Sequence, residues 1–393
     1  MTYGKAGKKF IFIVVIALCI LTSCQPGSHN NPPFGPDAAE ANKWATINDY
    51  YRVSELHKRG YTGSGVHVAI VTFDTFELTD IEVFSKQFNL PKPTINVIPL
   101  FGGAVHQGAS AIGHVESTLD IDVVHAVAPD AVIDVYSVPP AVPFNLVLQK
   151  ILDDGQARIV TFSWGRAPNP RDDELSYAII EEMGRRGTTV FAYTGDNGPS
   201  DDNSSVASPS YFPNVVAVGG TVITADPTSK RVSEREWPLS VGGWSTLYPS
   251  PGYQSAAAAS LKGNSDGGKY RMLPDIVGPS IVTAAGSPTA DKDGPPIFVT
   301  DPKTGEGSWV PATGTSVAAP YMAGIFANIA GGLQRGLGDI HETLYGLMGQ
   351  PAFNRVDSSS EEAVVEGGGS YSMTAGLGSV NTLEMAIAFG LAN

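Results

Sequence analysis

The chain has 393 residues, a formal net charge of −14 at pH 7 and only two cysteines. Such an acidic protein repels phosphate backbones, so its charge argues against nucleic-acid binding. The length that remains after Trp44 is enough for one large α/β domain or two smaller ones.

The N-terminus has the order of a secretory signal peptide. Three lysines precede a continuous apolar run (Phe10–Leu21), and small residues then lead to Cys24. This order, with so short an apolar run, indicates a signal peptide rather than a membrane-spanning helix. The segment resembles a bacterial lipobox, which predicts that residues 1–23 are removed and that Cys24 is acylated. An ordinary signal peptide cleaved nearby is the alternative.

The processed chain is expected to be anchored outside the cytoplasm. Removal of residues 1–23 takes away Cys19, which leaves Cys24 as the last cysteine and excludes an intramolecular disulfide. Residues 24–44 are rich in Pro, Asn, Gly and Ala, which predicts a flexible tether between a lipid anchor and the domain. The expected location is therefore a bacterial membrane, facing the cell surface or the periplasm. No later apolar run is long enough to predict a second membrane segment.

Strand-like and helix-like segments then alternate along the chain. The predicted strands are Val66–Phe73, Ala131–Val138, Arg158–Ser163, Thr188–Tyr193 and Val215–Val218. Helical periodicity covers Phe144–Leu152, and an amphipathic helix over Asp172–Arg186 is closed by Gly187. This alternation predicts a mostly parallel sheet with helices on both faces. Residues 225–310 show poor periodicity and are expected to form loops and short strands around a site.

A serine lies at the start of a small, apolar segment. Gly314-Thr315-Ser316 precedes Val317–Ile325, whose composition predicts a buried helix. We expect Ser316 at the helix N-terminus to be exposed to solvent, where the helix dipole favours developing negative charge. Pro320 lies early in this helix, where the loss of one N–H disrupts least. A Gly-x-Ser alone is usually a helix cap, but the whole string favours a nucleophile.

A nucleophilic serine needs a base, and a carboxylate pair is available. Val115, Leu119 and Val123 mark the packed face of a helix, and Glu116 and Asp120 are four residues apart on a neighbouring stripe. Two stacked like charges are unfavourable unless one is protonated or both are used. This spacing alone usually means a solvated helix face, so it becomes informative only beside the serine.

Short motifs extend this pattern along most of the chain. They are Glu116-x-x-x-Asp120, Ala128-Pro129-Asp130-Ala131, Ser163-Trp164-Gly165, Gly195-Asp196-Asn197-Gly198, Phe212-Pro213-Asn214-Val215, Val218-Gly219-Gly220-Thr221, Glu236-Trp237, Gly242-Gly243-Trp244-Ser245, Arg271 with Pro274-Asp275, Gly314-Thr315-Ser316 and Gly376-Leu377-Gly378. In this order they resemble the sedolisins, the serine-carboxyl peptidases distantly related to subtilisin. The resemblance implies a subtilisin-like single α/β domain over residues 45–393, expected to be a monomer.

The resemblance also implies a role for each site residue. Ser316 would be the nucleophile, Glu116 its general base, and Asp120 the group that orients and polarises Glu116. Asp196 would supply a protonated carboxyl group to the oxyanion hole. A carboxylate base and a protonated carboxyl donor both favour acidic pH. The expected reaction is hydrolysis of a peptide or unfolded protein through an acyl-enzyme, by an endopeptidase rather than an exopeptidase.

Other motif residues have expected supporting roles. Trp164, Gly165 and Gly243 are expected to line the substrate cleft, although the segment around Gly243 is less glycine-rich than the family form. Asp275, after Pro274, is expected to be structural and to bond nearby backbone N–H groups.

Two alternatives remain open. A subtilisin-type Asp-His-Ser triad would place its aspartate at Thr72, two residues before Asp74, and its oxyanion asparagine at Thr161. His114 would point away from the stripe that carries Glu116, so the sedolisin interpretation is favoured. Asp74 and His114 are then expected to be loop and surface residues. The second alternative is a catalytically weak surface lipoprotein that binds peptides on the same fold.

The sequence departs from the sedolisin pattern in two places. Sedolisins usually carry a large N-terminal propeptide, whereas only a short segment separates Cys24 from the domain here, so we expect folding and activation without that helper. The aspartates of the family's calcium site fall at Arg355 and Ser372. A guanidinium group repels Ca²⁺, and Asp357 alone could restore one ligand. We therefore expect no calcium and no other metal or cofactor.

Overall fold

A computed structural model describes most of the chain beyond its N-terminal segment. The described residues are 35–36, 38–106, 112–199, 206–226, 232–261, 268–287, 293–357 and 371–392. The predicted signal peptide (residues 1–23), the acylation site Cys24 and most of the predicted tether lie outside the described residues.

Strands and helices alternate through the first half of the domain. The strands are β1 His67–Thr72, β2 Thr94–Pro99, β3 Val132–Ser137, β4 Ala157–Phe162, β5 Thr189–Tyr193, β6 Val216–Ala225, β7 Val232–Glu236, β8 Gly243–Pro249, β9 Tyr270–Leu273, β10 Ile276–Ala284, β11 Pro296–Thr300, β12 Gly307–Pro311, β13 Phe353–Asn354 and β14 Ser379–Val380. The helices are α1 Ala38–Tyr50, α2 Val53–Lys58, α3 Leu78–Gln87, α4 Ile112–Val127, α5 Phe144–Asp154, α6 Pro170–Arg185, α7 Ser255–Ser260, α8 Thr315–Leu333, α9 His341–Gly346 and α10 Thr382–Ala388.

Ten strands of the described chain form one sheet. Its order is β13-β14-β10-β6-β5-β4-β1-β3-β2, and β7 pairs with β6 outside this path. The pairings from β14 to β2 are parallel, whereas β13–β14 and β6–β7 are antiparallel. Two antiparallel hairpins, β8–β9 and β11–β12, lie outside this sheet. The predicted mostly parallel sheet is confirmed, as are the five predicted strands and the four predicted helices, which correspond to α4, α5, α6 and α8.

The sheet has a hydrophobic core on each face. In β1, Val68 and Ile70 join one core, while Ala69 and Val71 join the other, because successive strand residues point to opposite faces. The first core contains the buried residues of α4 and α8, and the second contains those of α5 and α6. Helices therefore cover both faces of the sheet, as the alternating pattern predicted.

Helix α8 runs through the first core and contacts α4, β4, β5, β6 and β10. Within the described part of the chain it is the one helix whose length and composition would suit a membrane span. However, 83% of the apolar stretch is buried inside the protein, as expected for a core helix. Pro320 lies in its second turn, consistent with the position predicted for it.

Two sequence-based boundaries need correction. Residues 38–44 of the predicted tether form part of α1, where the Trp44 indole donates to Pro296 O at 2.9 Å and Lys43 pairs with Asp293. The cause is that helix-forming residues replace the Pro and Asn of the preceding segment. Within residues 225–310, β10 is a buried nine-residue strand rather than a loop. A register shift between Pro279 and Ile281 fits the proline into the sheet and hides the strand's periodicity.

Candidate active site

Ser316 occupies the first turn of α8. Gly314 turns the chain into this helix with a φ of 105°, and its N–H donates to Ser280 O at 3.0 Å. The first backbone N–H groups of a helix have no partner four residues earlier. Here the Thr315 N–H donates to Asp196 Oδ1 and the Val317 N–H donates to Gly314 O, so the N–H of Ser316 itself is the candidate donor to an anionic group. Ser316 is only 4% exposed, so the predicted solvent exposure of this serine is wrong.

The Glu116 carboxylate is fully buried near Ser316 and Ser163, which lie close enough to interact with it. Its Oε1 atom has no hydrogen-bond partner within the described residues. Burial and then the nearby Asp120 charge raise the pKa of Glu116 well above its ordinary value. The structure thus brings Glu116 and Ser316 together, and the catalytic roles of both stay predictions.

Asp120 lies one helical turn beyond Glu116 and is also fully buried. The Ser163 hydroxyl donates to Asp120 Oδ1 at 2.5 Å, and burial raises the pKa of Asp120 well above its ordinary value. Ser163 directly follows β4, so the sheet edge holds it against α4. The sequence analysis included Ser163 in a motif but gave it no role. Its position could have indicated a site residue, because Ser163 is a polar residue at the carboxyl end of a buried parallel strand, where binding sites are commonly found.

Asp196 completes the group from the end of β5. Its Oδ1 accepts hydrogen bonds from the Thr315 N–H at 2.9 Å and from Thr315 Oγ1 at 2.6 Å. Its Oδ2 faces Gly314, where a Cβ atom would lie 2.6 Å from that oxygen. Burial raises the pKa of Asp196 to about 6. Thr315, which the sequence analysis gave no role, also accepts the Gly195 N–H at 3.1 Å and so fixes this carboxyl group.

The residues of a subtilisin-type triad are differently placed. Asp74 lies in the bend after β1, as expected of a loop residue, but Asp74 and His114 are both fully buried, so their predicted surface position is wrong. Helices α3 and α8 and strand β11 contact α4, and the sequence pattern of α4 alone does not reveal these contacts. His114 Nδ1 lies 3.1 Å from Thr75 Oγ1, whereas Ser316 lies close enough to Glu116 to interact with it.

The three predicted cleft residues have different surroundings in the fold. The Trp164 side chain is buried against the aromatic core below Ser163. At Gly165, a Cβ atom would lie 2.5 Å from Tyr193 Oη, so only glycine fits against this tyrosine. Gly243 pairs with Leu273 in the β8–β9 hairpin. Their contact with a substrate stays a prediction.

Asp275 has the structural role expected of it. Its Oδ2 accepts from the Ala217 N–H at 2.8 Å and from Arg271 Nη2 at 2.5 Å, and all three partners are buried. Burial alone would raise the pKa of Asp275, but Arg271 and then His341 hold it well below its usual range.

The segments that match the family's calcium site do not fit that ion. The Ser372 hydroxyl donates to Glu236 Oε1 at 3.1 Å, and Thr374 Oγ1 donates to the same oxygen. Arg355 Nε lies 3.6 Å from Asp357 Oδ1, which places a cation where calcium would need oxygen ligands. The loss of calcium stays a prediction, and these described residues support it.

The fold and site together define a class of protein, a subtilisin-like α/β domain with a serine at the start of its central helix. A model of the subtilase family matches residues 104–340, and the chain belongs to this family. Two solved structures share the fold. Pseudomonas sedolisin, a serine-carboxyl proteinase, aligns with a TM-score of 0.66 and 20% identity over 83% of this chain and 92% of its own. A lanthipeptide protease aligns with a TM-score of 0.55 and 15% identity over 90% and 95%.

Curated relatives agree with the sedolisin resemblance. Kumamolisin from Bacillus sp. (strain MN-32) is 26% identical over 350 residues, which cover 81% of this chain and 59% of kumamolisin. A tripeptidyl-peptidase of Aspergillus fumigatus is 27% identical over 271 residues, which cover 59% of this chain and 43% of that enzyme. This chain thus spans about half the length of the curated relatives it matches. The predicted resemblance to sedolisins and the subtilisin-like fold are confirmed.

Proposed function

We propose that this protein is a serine peptidase that hydrolyses peptide bonds through an acyl-enzyme on Ser316. The observation that carries the proposal is the position of Ser316 in the first turn of α8, close enough to the buried Glu116 carboxylate for the two side chains to interact. A nucleophilic hydroxyl needs a base within hydrogen-bond reach, and this contact supplies one. The peptidase names of its relatives support the same reaction. The proposed substrate is a peptide or an unfolded protein.

The proposed reaction uses the four predicted residues in turn. Ser316 Oγ attacks the carbonyl carbon of the substrate while its proton passes to Glu116, whose charge and orientation Asp120 influences. The Asp196 carboxyl group and the Ser316 N–H donate hydrogen bonds to the resulting oxyanion. Glu116 then protonates the leaving amine, and the acyl-enzyme forms as the peptide C–N bond breaks. Attack by water, with Glu116 again as base, releases the acid product and restores Ser316.

Activity is proposed to be greatest at acidic pH. Asp196 can donate to an oxyanion only when it is protonated, and its pKa of about 6 means that this form is lost as pH rises. Glu116 and Tyr193 lie close enough to interact electrostatically with Asp196. Glu116 must be ionised to accept the Ser316 proton, and its raised pKa therefore sets the acidic limit of the proposed working range.

The cleavage mode and the cellular location are further parts of the proposal. We propose endopeptidase action, with release of N-terminal tripeptides as the competing outcome because some relatives are named tripeptidyl-peptidases. Mass spectrometry of the products from a denatured protein distinguishes internal cuts from tripeptide ladders. The lipid anchor at Cys24 is tested by fatty-acid labelling. Label and membrane association should be lost in Cys24→Ser, and an unlabelled wild type would reject the anchor.

The decisive experiment compares Ser316→Ala and Glu116→Gln with Glu174→Gln, a control at an exposed carboxylate of α6. Cleavage of a denatured protein is measured from about pH 3 to 7, and we expect losses of about a hundredfold or more in both site variants. Full activity in Glu116→Gln with loss in His114→Ala would favour the subtilisin-type triad. A wild type that binds peptides but cleaves none would favour the peptide-binding lipoprotein.

A further inference from the structure

Two imidazoles and a carboxylate meet beyond the end of β1, apart from the proposed catalytic group. Asp74 follows β1, His106 precedes α4, and His114 lies in the first turn of α4. One ligand atom from each residue lies within 4.8 Å of the other two. Asp74 and His114 are fully buried, whereas the His106 side chain is 24% exposed. The group is therefore enclosed but can be reached from solvent at His106.

Hydrogen bonds between protein groups leave some ring nitrogens of the two histidines without a partner within the described residues. His114 Nδ1 lies 3.1 Å from Thr75 Oγ1, and His106 Nδ1 lies 3.3 Å from Asp74 Oδ1. The Nε2 atoms of both histidines are buried and have no hydrogen-bond partner within the described part of the protein. Buried polar atoms normally have a partner, so the unpartnered Nε2 atom of His114, in a group with a second imidazole and a carboxylate, requires an explanation.

We infer that Asp74, His106 and His114 bind a divalent transition-metal ion, for which Zn²⁺ is the best match. Two imidazole nitrogens and one carboxylate oxygen form a ligand set that zinc takes, with a fourth position left for water or another group. Calcium prefers several oxygen ligands, which two histidines do not supply. The ligand type therefore separates this site from the calcium site of the family.

The geometry suits such an ion after small movements. Two ligands on one tetrahedral zinc are separated by about 3.3 Å, given metal–ligand bonds of about 2.0 to 2.1 Å. Asp74 Oδ1 and His106 Nδ1 already have this separation, at 3.3 Å. Closing the remaining gaps from 4.8 Å requires side-chain shifts on the order of 1 Å. Thr75 holds the His114 ring through Nδ1, which leaves Nε2 for the metal. A metal-bound histidine commonly has such a hydrogen-bond partner at its other ring nitrogen.

A bound ion would link three separate parts of the chain. It would join the end of β1, the segment that carries His106, and the first turn of α4, two residues before Glu116. The expected direct effect is stabilisation of the folded protein, because the ion binds the assembled site and not the separated ligands. This site does not depend on the proposed peptidase activity, and its test does not use that activity.

The test uses the full-length protein after EDTA treatment and dialysis, with Zn²⁺ binding followed by calorimetry and by thermal unfolding. His67→Ala is the matched control, because His67 Nδ1 also pairs with a carboxylate, Asp134, at 2.7 Å. We expect one Zn²⁺ per chain and a raised Tm in wild type and His67→Ala. In His106→Ala and His114→Ala, affinity should fall by at least about a hundredfold. Co²⁺ bound in place of Zn²⁺ should show visible absorption bands, as expected of a low-symmetry site with nitrogen and oxygen ligands.

Circular dichroism in EDTA shows whether each variant folds. If His114→Ala does not fold, His106→Gln decides, because His106 is partly exposed and its replacement should disturb the core least. The inference is overturned if wild type binds no Zn²⁺ at micromolar concentrations. It is equally overturned if folded His106→Gln binds as wild type does, or if His67→Ala loses as much affinity as His106→Ala.

Discussion

The oxyanion role proposed for Asp196 is best tested with Asp196→Asn. Asp196 Oδ1 accepts two hydrogen bonds from Thr315, and an amide oxygen can accept the same two. The amide nitrogen would then take the place of Oδ2, beside Gly314. An amide donates at every pH, whereas the carboxyl group donates only when it is protonated. Asp196→Asn therefore keeps the shape of the side chain and removes its titratable proton.

The size of the expected change follows from the pKa of Asp196, which is about 6. At pH 8 such a group is protonated in about 1% of molecules, so wild-type kcat/KM should fall about a hundredfold between its acidic plateau and pH 8. Asp196→Asn should lack this decline. Asp196→Ala, which has no donor, should lose about 10²- to 10³-fold at its best pH.

The assay measures kcat/KM for a soluble peptide from about pH 4 to 8, the range in which Asp196 is proposed to titrate. Asp153→Asn, at an exposed aspartate of α5, controls for the loss of one negative charge. Two results would refute the reasoning. One is a wild-type-like alkaline decline in Asp196→Asn. The other is a folded Asp196→Asn that is inactive throughout, because Asp196 would then act as a carboxylate.

Two further predictions concern the turn before α8 and a buried charge cluster. Gly314→Ala should abolish activity and lower Tm, because its Cβ would meet Asp196 Oδ2 at 2.6 Å. The control is Gly286→Ala, which shares the positive φ but meets no atom within 4 Å. This control should lower the free energy of unfolding by only about 1–2 kcal/mol. Similar losses in both would contradict the steric argument. Burial would lower the pKa of His341, but Asp275 outweighs it and raises this pKa to about 9. This stabilisation is fully present below about pH 6.5 and is lost as pH rises through 9, by up to about 3 kcal/mol. Urea unfolding across this pH range should show the free energy of unfolding falling as pH rises. His341→Gln should flatten this pH dependence, and an unchanged dependence in that variant would reject the role of His341.

The strands that the sequence predicted share one property, which is burial on both faces. The predicted strands read as continuous runs of β-branched and apolar residues, as central parallel strands do. β2 was missed because it is the edge strand and most of its side chains are exposed, which leaves no such run. β10 was missed although it is buried, because Gly278 and Pro279 interrupt its run of β-branched and apolar residues.

The limits of sequence reasoning at the site are clearest in α4. The spacing of Glu116 and Asp120 placed both carboxylates on one face of the helix, and the structure brings that face near Ser316. Residue spacing alone cannot show whether a helix face is exposed to solvent or buried, because its burial depends on the elements that pack over the helix. The same uncertainty made His114 a surface residue in prediction, although α4 is buried on nearly every side. Asp122, which faces away from solvent without a described hydrogen-bond partner, had no sequence signal at all.

Buried aspartates with opposite environments make acidic activity compatible with a stable fold. Within the described residues only hydrogen bonds from Thr315 oppose burial at Asp196, so burial dominates and raises its pKa to about 6. Asp275 is equally buried, but Arg271 and then His341 outweigh burial and hold its pKa well below its usual range. A lowered carboxyl pKa contributes stability above about pH 3.9, which is lost only as pH falls through the folded-state value. The ion pair at Asp275 therefore stays charged at the pH where Asp196 gains its proton. The same protein can then keep a protonated carboxyl group in its proposed oxyanion hole and an ionised one in its core.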